Sequence, residues 1–278
     1  MKLFITGGTG LIGSHLLAQA LDAGHEVRAI RRSESSLPVI PLTHQPQWIE
    51  SDLKGIKIGD LSGCDTLLHL AAYGVQTVEN AVWEKCIQTN VSDFQELMAK
   101  AIQAKIKNYV ICGSCSEYGL SGLRYPEIPT DAPLEPTGAY HASKAAASAI
   151  AHAYAVQHSL QLAILRPFHV FGEGEAPQRL WPAIKKAALS GSNFPMTGGE
   201  QVRDFIHVSS AAAKFLEHAI YPRTLPGEPQ VFHVSEGKPQ TIRKFAEYWW
   251  QHWGASGKIQ FGAVPYRQNE VMRYVAKV

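Results

Sequence analysis

Lys2-Leu-Phe-Ile-Thr6-Gly7-Gly-Thr-Gly10-Leu-Ile-Gly13 opens the chain. Leu3–Thr6 reads as a short buried strand, and the amphipathic run from Ser14 to Ala23, closed by Gly24, reads as a helix. Strand, glycine-rich turn and helix in that order form the phosphate-binding corner of a dinucleotide fold, because backbone N–H groups at a helix N-terminus face an anion that the helix dipole favours. Gly7 and Gly10 permit the tight turn and the close backbone approach to a pyrophosphate, and Gly13 lets the helix pack near the strand. The spacing is Gly-x-x-Gly-x-x-Gly rather than Gly-x-Gly-x-x-Gly. The flanking strand and helix therefore carry the reading.

Outward from this corner, short apolar runs alternate with helical patterns as far as Arg166. Strands are expected at Leu3–Thr6, Glu26–Ile30, Gln47–Glu50, Thr66–Leu70, Asn108–Cys112 and Gln161–Leu165, with helices best defined at Gly13–Ala23, Glu79–Ala104 and Ala139–His158. Such alternation predicts an α/β fold, a doubly wound parallel sheet. Ligands of these sheets bind beyond the carboxyl ends of the strands. Gly7, Ala71, Ser114 and Pro167 all fall just past predicted strand ends, so one cleft is expected to collect them. Beyond Arg166 the pattern loosens into loops and helices near Gln178–Ser190, Val208–Tyr221 and Ile242–Trp253.

Composition sets the class. With 278 residues, 45% of them hydrophobic, the chain can bury a substantial core without disulfide support. A formal charge of +2 gives no nucleic-acid footprint. Cys64, Cys86, Cys112 and Cys115 lack CxxC spacing and a histidine pattern, so no metal site is expected. The first strand begins at Lys2, leaving no room for a signal peptide, and no apolar run is long enough for a bilayer. A soluble cytoplasmic protein that makes no membrane contact is the expectation.

Tyr140-His-Ala-Ser-Lys144 supplies the chemistry. A tyrosine and a lysine four residues apart in an alanine-rich helix share one face. A nearby ammonium favours the phenolate, so Lys144 is expected to lower the pKa of Tyr140 from its ordinary value of about 10.

The two motifs together resemble the extended short-chain dehydrogenase/reductases, the nucleotide-sugar epimerase/dehydratase family. Further matches follow in the family's order: Leu68-His-Leu-Ala-Ala72, Asn90-Val, Tyr109-Val-Ile-Cys-Gly-Ser114, Arg166-Pro-Phe-His-Val-Phe-Gly172, Arg203-Asp-Phe-Ile-His-Val208 and Phe232-His-Val-Ser235. The resemblance implies a dinucleotide-binding Rossmann domain over 1–170 and mainly a substrate-binding lobe over 171–278. The strand near 231–234 would return to the first domain, interleaving the two. It also implies a homodimer built on the helices Glu79–Ala104 and Ala139–His158, the second rich in small alanines (Ala145, Ala146, Ala147, Ala149, Ala151).

For the site, the resemblance implies specific roles. Ser114 stands where the family places its catalytic Ser or Thr, and its hydroxyl would hydrogen-bond the substrate oxygen while Tyr140 transfers the proton. Lys144 would also hold the nicotinamide ribose, and Asn90 would support the proton relay. Leu11 and Ile12 would join the glycines at the pyrophosphate, beside Ala71 and Ala72. Asp52 and Leu53 resemble the adenine contact, and Pro167 and His169 complete the cofactor set. On the substrate side, Arg203 and Arg267 resemble phosphate-facing positions, Ser116 is the second hydroxyl of the loop, and Tyr73, Arg124 and Tyr125 sit on loops at the pocket. His169 replaces an asparagine common in nucleotide-sugar members, while His69 reads as a packing residue.

Two departures shape the expected reaction. Dehydrating members carry Asp-Glu straight after the catalytic hydroxyl; here Cys115 and Ser116 stand there, with Glu117 one step later. Elimination needs an acid and a base, so dehydration is disfavoured. The second strand ends in Arg31-Arg32-Ser33, where an NAD enzyme has a carboxylate against the ribose hydroxyls. Two guanidiniums favour a 2′-phosphate, making NADP the expected cofactor and NAD the alternative. The expected function is an NADPH-dependent reductase of a nucleotide-linked 4-keto-6-deoxyhexose. The alternatives are a nucleotide-sugar 4-epimerase with bound NAD and a non-catalytic dinucleotide-sensing protein.

Overall fold

The computed structural model describes residues 1–75 and 81–278. Seven parallel strands form the main sheet: β1 Lys2–Thr6, β2 Glu26–Arg31, β3 Gln47–Glu50, β4 Thr66–His69, β5 Asn108–Cys112, β6 Gln161–Pro167 and, much later, β11 Gln230–Val234. Their order is β11-β6-β5-β4-β1-β2-β3. The chain runs outward from β1 to β3, then crosses back to β4, so the topological switch lies between β1 and β4. Ligand crevices open at such switches, beyond the strands' carboxyl ends. β11 pairs with β6 in parallel, Val231 opposite Ile164.

Alternation along β1 assigns the two faces. Leu3 and Ile5 pack with Leu16 and Leu17 of helix α1 (Leu11–Asp22) and Phe215 of helix α7 (Val208–Ile220). Phe4 turns to the other side, against Phe94 and Leu97 of helix α4 (Phe94–Gln103) and Ala147 and Ala151 of helix α5 (Ala139–His158). Two of the alanines expected at a dimer interface therefore face the sheet. Ala149 is exposed on the outer side, with Ala145 and Ala146 half-buried.

Of the helix expected over Glu79–Ala104, Glu79 and Asn80 lie outside the described residues, and the helix runs unbroken from Trp83 to Gln103 as α3 (Trp83–Ile87), a π-helical turn at Gln88–Asp93, and α4. π turns insert an extra residue and re-aim side chains, often at functional sites; Asn90 sits in this one.

The C-terminal part contributes short elements that a sequence pattern cannot register. Strands β7 (His169–Phe171) and β10 (Phe205–His207) pair in parallel. β8 (Phe194–Met196) pairs with β13 (Ile259–Phe261). β9 (Val202–Arg203) lies between β12 (Gln240–Thr241) and β14 (Arg273–Tyr274). Helices α6 (Leu180–Leu189) and α8 (Ile242–His252) pack together around Ile184, Ala246 and Trp250. The remaining helix, α2, is the short turn Ile58–Leu61. No helix among the described residues is long and apolar enough to cross a membrane.

Candidate active site

The glycine corner is built by close approach. Gly7 has φ +75°, and a Cβ there would lie 2.6 Å from the Ala71 amide nitrogen; a Cβ on Gly13 would lie 2.0 Å from the Gly7 carbonyl oxygen. β1, the start of α1 and the end of β4 thus meet at backbone distance. Gly10 caps α1 without a side-chain hydrogen bond, and its first turn holds no acid. The leading amides, at Leu11, Ile12 and Gly13, are left for an anion. This cradle fits a dinucleotide pyrophosphate. Ala71 is tied in place by its N–H donating to Thr6 Oγ1 at 3.3 Å, and Ala72 packs with Tyr73 beside Tyr140.

The adenosine end differs from expectation. Arg31 donates to Glu50 Oε1 at 3.0 Å and lies over the Trp48 ring. A carboxylate does stand at this position, delivered by β3 rather than β2. Arg32 is exposed, and Ser33 shares hydrogen bonds with Ser35 and Ser36 in the turn. Asp52 caps its own loop by accepting the Gly55 N–H at 2.8 Å. Leu53 is a core side chain, 5% exposed, which leaves only its backbone for the adenine contact expected of it.

Ser114, Tyr140 and Lys144 do converge. Tyr140 and Lys144 occupy the first turns of α5 and are both buried. Ser114 ends the segment after β5 and stands near enough to the Tyr140 phenol to favour its ionised form. Lys144 Nζ donates to the Cys112 carbonyl at 2.5 Å. The expected lowering of the Tyr140 pKa does not hold: burial pushes the phenol up, Cys112 and Glu117 add to the rise, and Ser114 only partly opposes it. Tyr140 therefore rests protonated.

Asn90 acts here through its side chain. Its Oδ1 accepts the Tyr73 N–H at 2.7 Å, and its Nδ2 donates to the Tyr73 carbonyl and to Ser143 Oγ, which in turn donates to the Tyr140 carbonyl. The π turn thus clamps the loop after β4 to the helix carrying Tyr140. Gly74 completes the contact, since a Cβ there would sit 3.3 Å from the Tyr140 ring. His69 bonds Thr6 and packs on Phe94, and burial holds its pKa down at about 3. It is a sheet residue.

Under the Ser114 loop lies a buried ion pair. Glu117, fully buried, accepts the Ser114 N–H at 2.7 Å on one oxygen; on the other it accepts Ser148 Oγ at 2.8 Å and Arg166 Nε at 2.9 Å. Arg166 also reaches the Thr130 carbonyl and lies over the Tyr118 ring. Glu117, fully buried and paired with Arg166, serves as scaffold and is not free to act in a dehydration. Ser116 is tied to Ser114, hydroxyl to hydroxyl at 2.7 Å, and burial raises the Cys115 thiol to about 12. Ser143 and Arg166 stood inside quoted motifs without a role of their own and Ser148 stood outside them; their contacts give each one a role.

The residues expected to meet substrate include a histidine and several arginines. His169 pairs with Phe205 across β7 and β10, and its Nδ1 is buried without a hydrogen-bond partner among the described residues. Burial, then the charges of Arg203 and Arg179, lower its pKa to about 3. It thus sits among arginines of the substrate side, while Pro167 is a buried residue at the end of β6. Arg203 donates to the Val202 and Val271 carbonyls and lies 3.7 Å from Glu270. Arg267 is exposed. Arg124 is held by both oxygens of Glu135 on the surface, and Tyr125 packs against the Tyr118 cluster. Arg179, absent from the expected set, reaches the Val75 carbonyl at 3.0 Å and so spans from α6 to the loop bearing Tyr73.

Residues 3–224 match the NAD dependent epimerase/dehydratase family, and the chain belongs to it. It is an NAD(P)-dependent enzyme of the extended type, which sets aside the sensor reading. UDP-glucose 4-epimerase of Corynebacterium glutamicum is 26% identical over 89% of this chain and 79% of its own length. A dTDP-glucose 4,6-dehydratase of Streptomyces niveus is 26% identical over 99% of this chain and 84% of its own length. Among solved structures, MoeE5 in complex with UDP-glucuronic acid and NAD superposes with a TM-score of 0.83 at 26% identity, covering 100% of this chain and 90% of that one.

Glu117→Ala should strand the Arg166 charge in the core and cost about 3–5 kcal/mol of stability in denaturant unfolding. The double replacement Glu117→Leu/Arg166→Met should recover much of that loss. Were Glu117 instead a catalytic acid, Glu117→Gln would abolish turnover while leaving the unfolding midpoint in place.

Proposed function

We propose that this enzyme oxidises and re-reduces a hydroxyl-bearing carbon of a nucleoside diphosphate hexose, working as a 4-epimerase with NAD. The observation that carries the reading is the loop after β5. It presents a hydroxyl, Ser114, to Tyr140, while its one carboxylate is locked by Arg166 and Ser148. Redox at a carbinol needs one proton carrier; elimination needs a further acid and base.

A bound nicotinamide dinucleotide supplies the hydride acceptor and donor. The proton movements belong to this chain. Tyr140, once its own proton has passed to solvent, takes the hydroxyl proton as the carbon is oxidised and returns it on reduction. Ser114 donates a hydrogen bond to the oxygen as its charge develops. Burial keeps the Tyr140 phenol protonated at rest, so removing its proton calls for positive charge nearby. Lys144, 3% exposed and on the same helical face, is this chain's contribution to it. Asn90 and Ser143 hold the backbone of this helical turn against the Tyr73 loop. Arg203 and Arg179 give the substrate side a charge that suits a diphosphate, with His169 neutral beside them. The named relatives, an epimerase of UDP-glucose and a dehydratase of dTDP-glucose, support a nucleotide-linked hexose.

The cofactor follows from the Arg31–Glu50 pair. With Arg31 engaged and a carboxylate at the end of β3, the adenosine pocket favours ribose hydroxyls over a 2′-phosphate. A second reading, reduction of a keto sugar by NADPH, is favoured by the exposed Arg32 and the lack of an acid at the end of β2.

Turnover should be found within a panel of UDP-glucose, UDP-galactose, UDP-glucuronic acid and dTDP-glucose. Tyr140→Phe should lower it by roughly two to four orders of magnitude with NAD still bound; a wild-type rate in this variant removes Tyr140 from the mechanism. In paired titrations the wild type should bind NAD at least as tightly as NADP. Glu50→Gln, which frees Arg31, should raise NADP affinity about tenfold, the effect of one charge-assisted contact. Tight NADPH binding by the wild type, unaltered in Glu50→Gln, would move the function to the reductase.

A further inference from the structure

Ser114 sits on a single turn of 3₁₀ helix, Cys115–Glu117, and its hydroxyl caps that turn by accepting the Ser116 N–H at 3.2 Å. The position of the reactive hydroxyl is therefore the position of the turn. From below, Glu117 holds the turn through the Ser114 N–H. From the opposite side, a residue far along the chain reaches in. The Tyr274 phenol donates to the Cys115 carbonyl at 3.0 Å and lies 3.5 Å from the Gly119 carbonyl. Its ring fills the space that Gly122 leaves, for a Cβ there would stand 2.5 Å from the ring. Gly122 is buried and so is the packing beneath the ring, with Phe168 and Ile128 in the same cluster.

Tyr274 is itself anchored. On β14 it pairs with Arg203 of β9; Arg203 donates to the Val271 carbonyl just upstream. On either side, Arg273 Nε donates to the Pro126 carbonyl at 2.6 Å, and Ile128 exchanges backbone hydrogen bonds with Val275 and Lys277. The same short sheet thus carries a substrate-side arginine and the phenol that touches the Ser114 turn. Burial pushes the Tyr274 phenol up, so it remains a hydrogen-bond donor across the working pH range.

We propose that Tyr274 is a positioning residue: its hydroxyl sets the Cys115 peptide, and through it the Ser114 hydroxyl, relative to Tyr140, linking the C-terminal lobe to the reacting oxygen. The inference rests on the role of Ser114 in the proposed function. Tyr274 reaches the site through the Cys115 carbonyl, so its effect passes through Ser114.

The test is a double-mutant cycle with the hexose of the panel that is turned over fastest. Tyr274→Phe keeps the ring against Gly122 and should fold with an unchanged melting temperature. It should lower kcat about three- to tenfold, the effect of one neutral hydrogen bond, with KM and the NAD dissociation constant within about twofold. In a Ser114→Ala background the same change should move kcat less than about twofold, because the group it positions is gone. In Ser114→Thr, which retains a hydroxyl on the turn, the sensitivity to Tyr274→Phe should return. An unchanged kcat in Tyr274→Phe beside a crippled Ser114→Ala, or an equal loss in both backgrounds, overturns the positioning role alone. A wild-type rate in Ser114→Ala overturns the proposed function and takes this inference with it.

Discussion

The buried pair between Glu117 and Arg166 is the constraint on which the site depends. It joins the loop after β5, the end of β6, helix α5 through Ser148 and the segment around Thr130. Two charges taken out of water are stabilising only when their remaining hydrogen-bonding capacity is met. Here the carboxylate receives a backbone amide, a hydroxyl and a guanidinium, and the guanidinium adds a carbonyl and the face of Tyr118. The pair fixes where Ser114 stands, and it withdraws the loop's acid from chemistry. Architecture and reaction type thus follow from one interaction.

Around it, the cleft is assembled from strand ends. The glycine corner at β1, the Tyr73 loop after β4, the Ser114 turn after β5 and His169 after β6 all lie on the carboxyl side of the sheet, where a parallel doubly wound fold opens. Asn90 and Ser143 hold the second of these loops to the helix of Tyr140, while Tyr274 braces the third from the C-terminal lobe. Arg203 and Arg179 put positive charge close to His169. His169 stays neutral among them because burial and those charges both oppose its protonation.

Much of this was legible in the sequence, for physical reasons that differ by element. The strands Gln47–Glu50 and Asn108–Cys112 and the helix Ala139–His158 stand where their apolar periodicity puts them. The convergence of Ser114, Tyr140 and Lys144 was legible because Tyr140 and Lys144 lie a helical turn apart and Ser114 follows a strand. What escaped were effects of tertiary contact. The π turn at Gln88–Asp93 has no residue signature, and β9 and β14 are two residues each. The depressed pKa expected for Tyr140 took account of Lys144 and not of burial. The reading of the second strand saw Arg31 and Arg32 alone, whereas Glu50 arrives from the neighbouring strand to pair with Arg31. Leu53 lies in a motif position, yet its side chain serves the core.

The central claim is that the chemistry is confined to hydride and proton exchange at one carbinol, with no carbon acid ionised. Turnover of the preferred nucleotide hexose in deuterium oxide, with the product read by mass and by NMR, tests it most directly. If Tyr140 and Ser114 act alone on oxygen and Glu117 remains bound to Arg166, the product carries no solvent deuterium on carbon. Deuterium at the hexose C5, entering with each turnover, would mean that a C–H bond had been broken by a base, and would contradict the account.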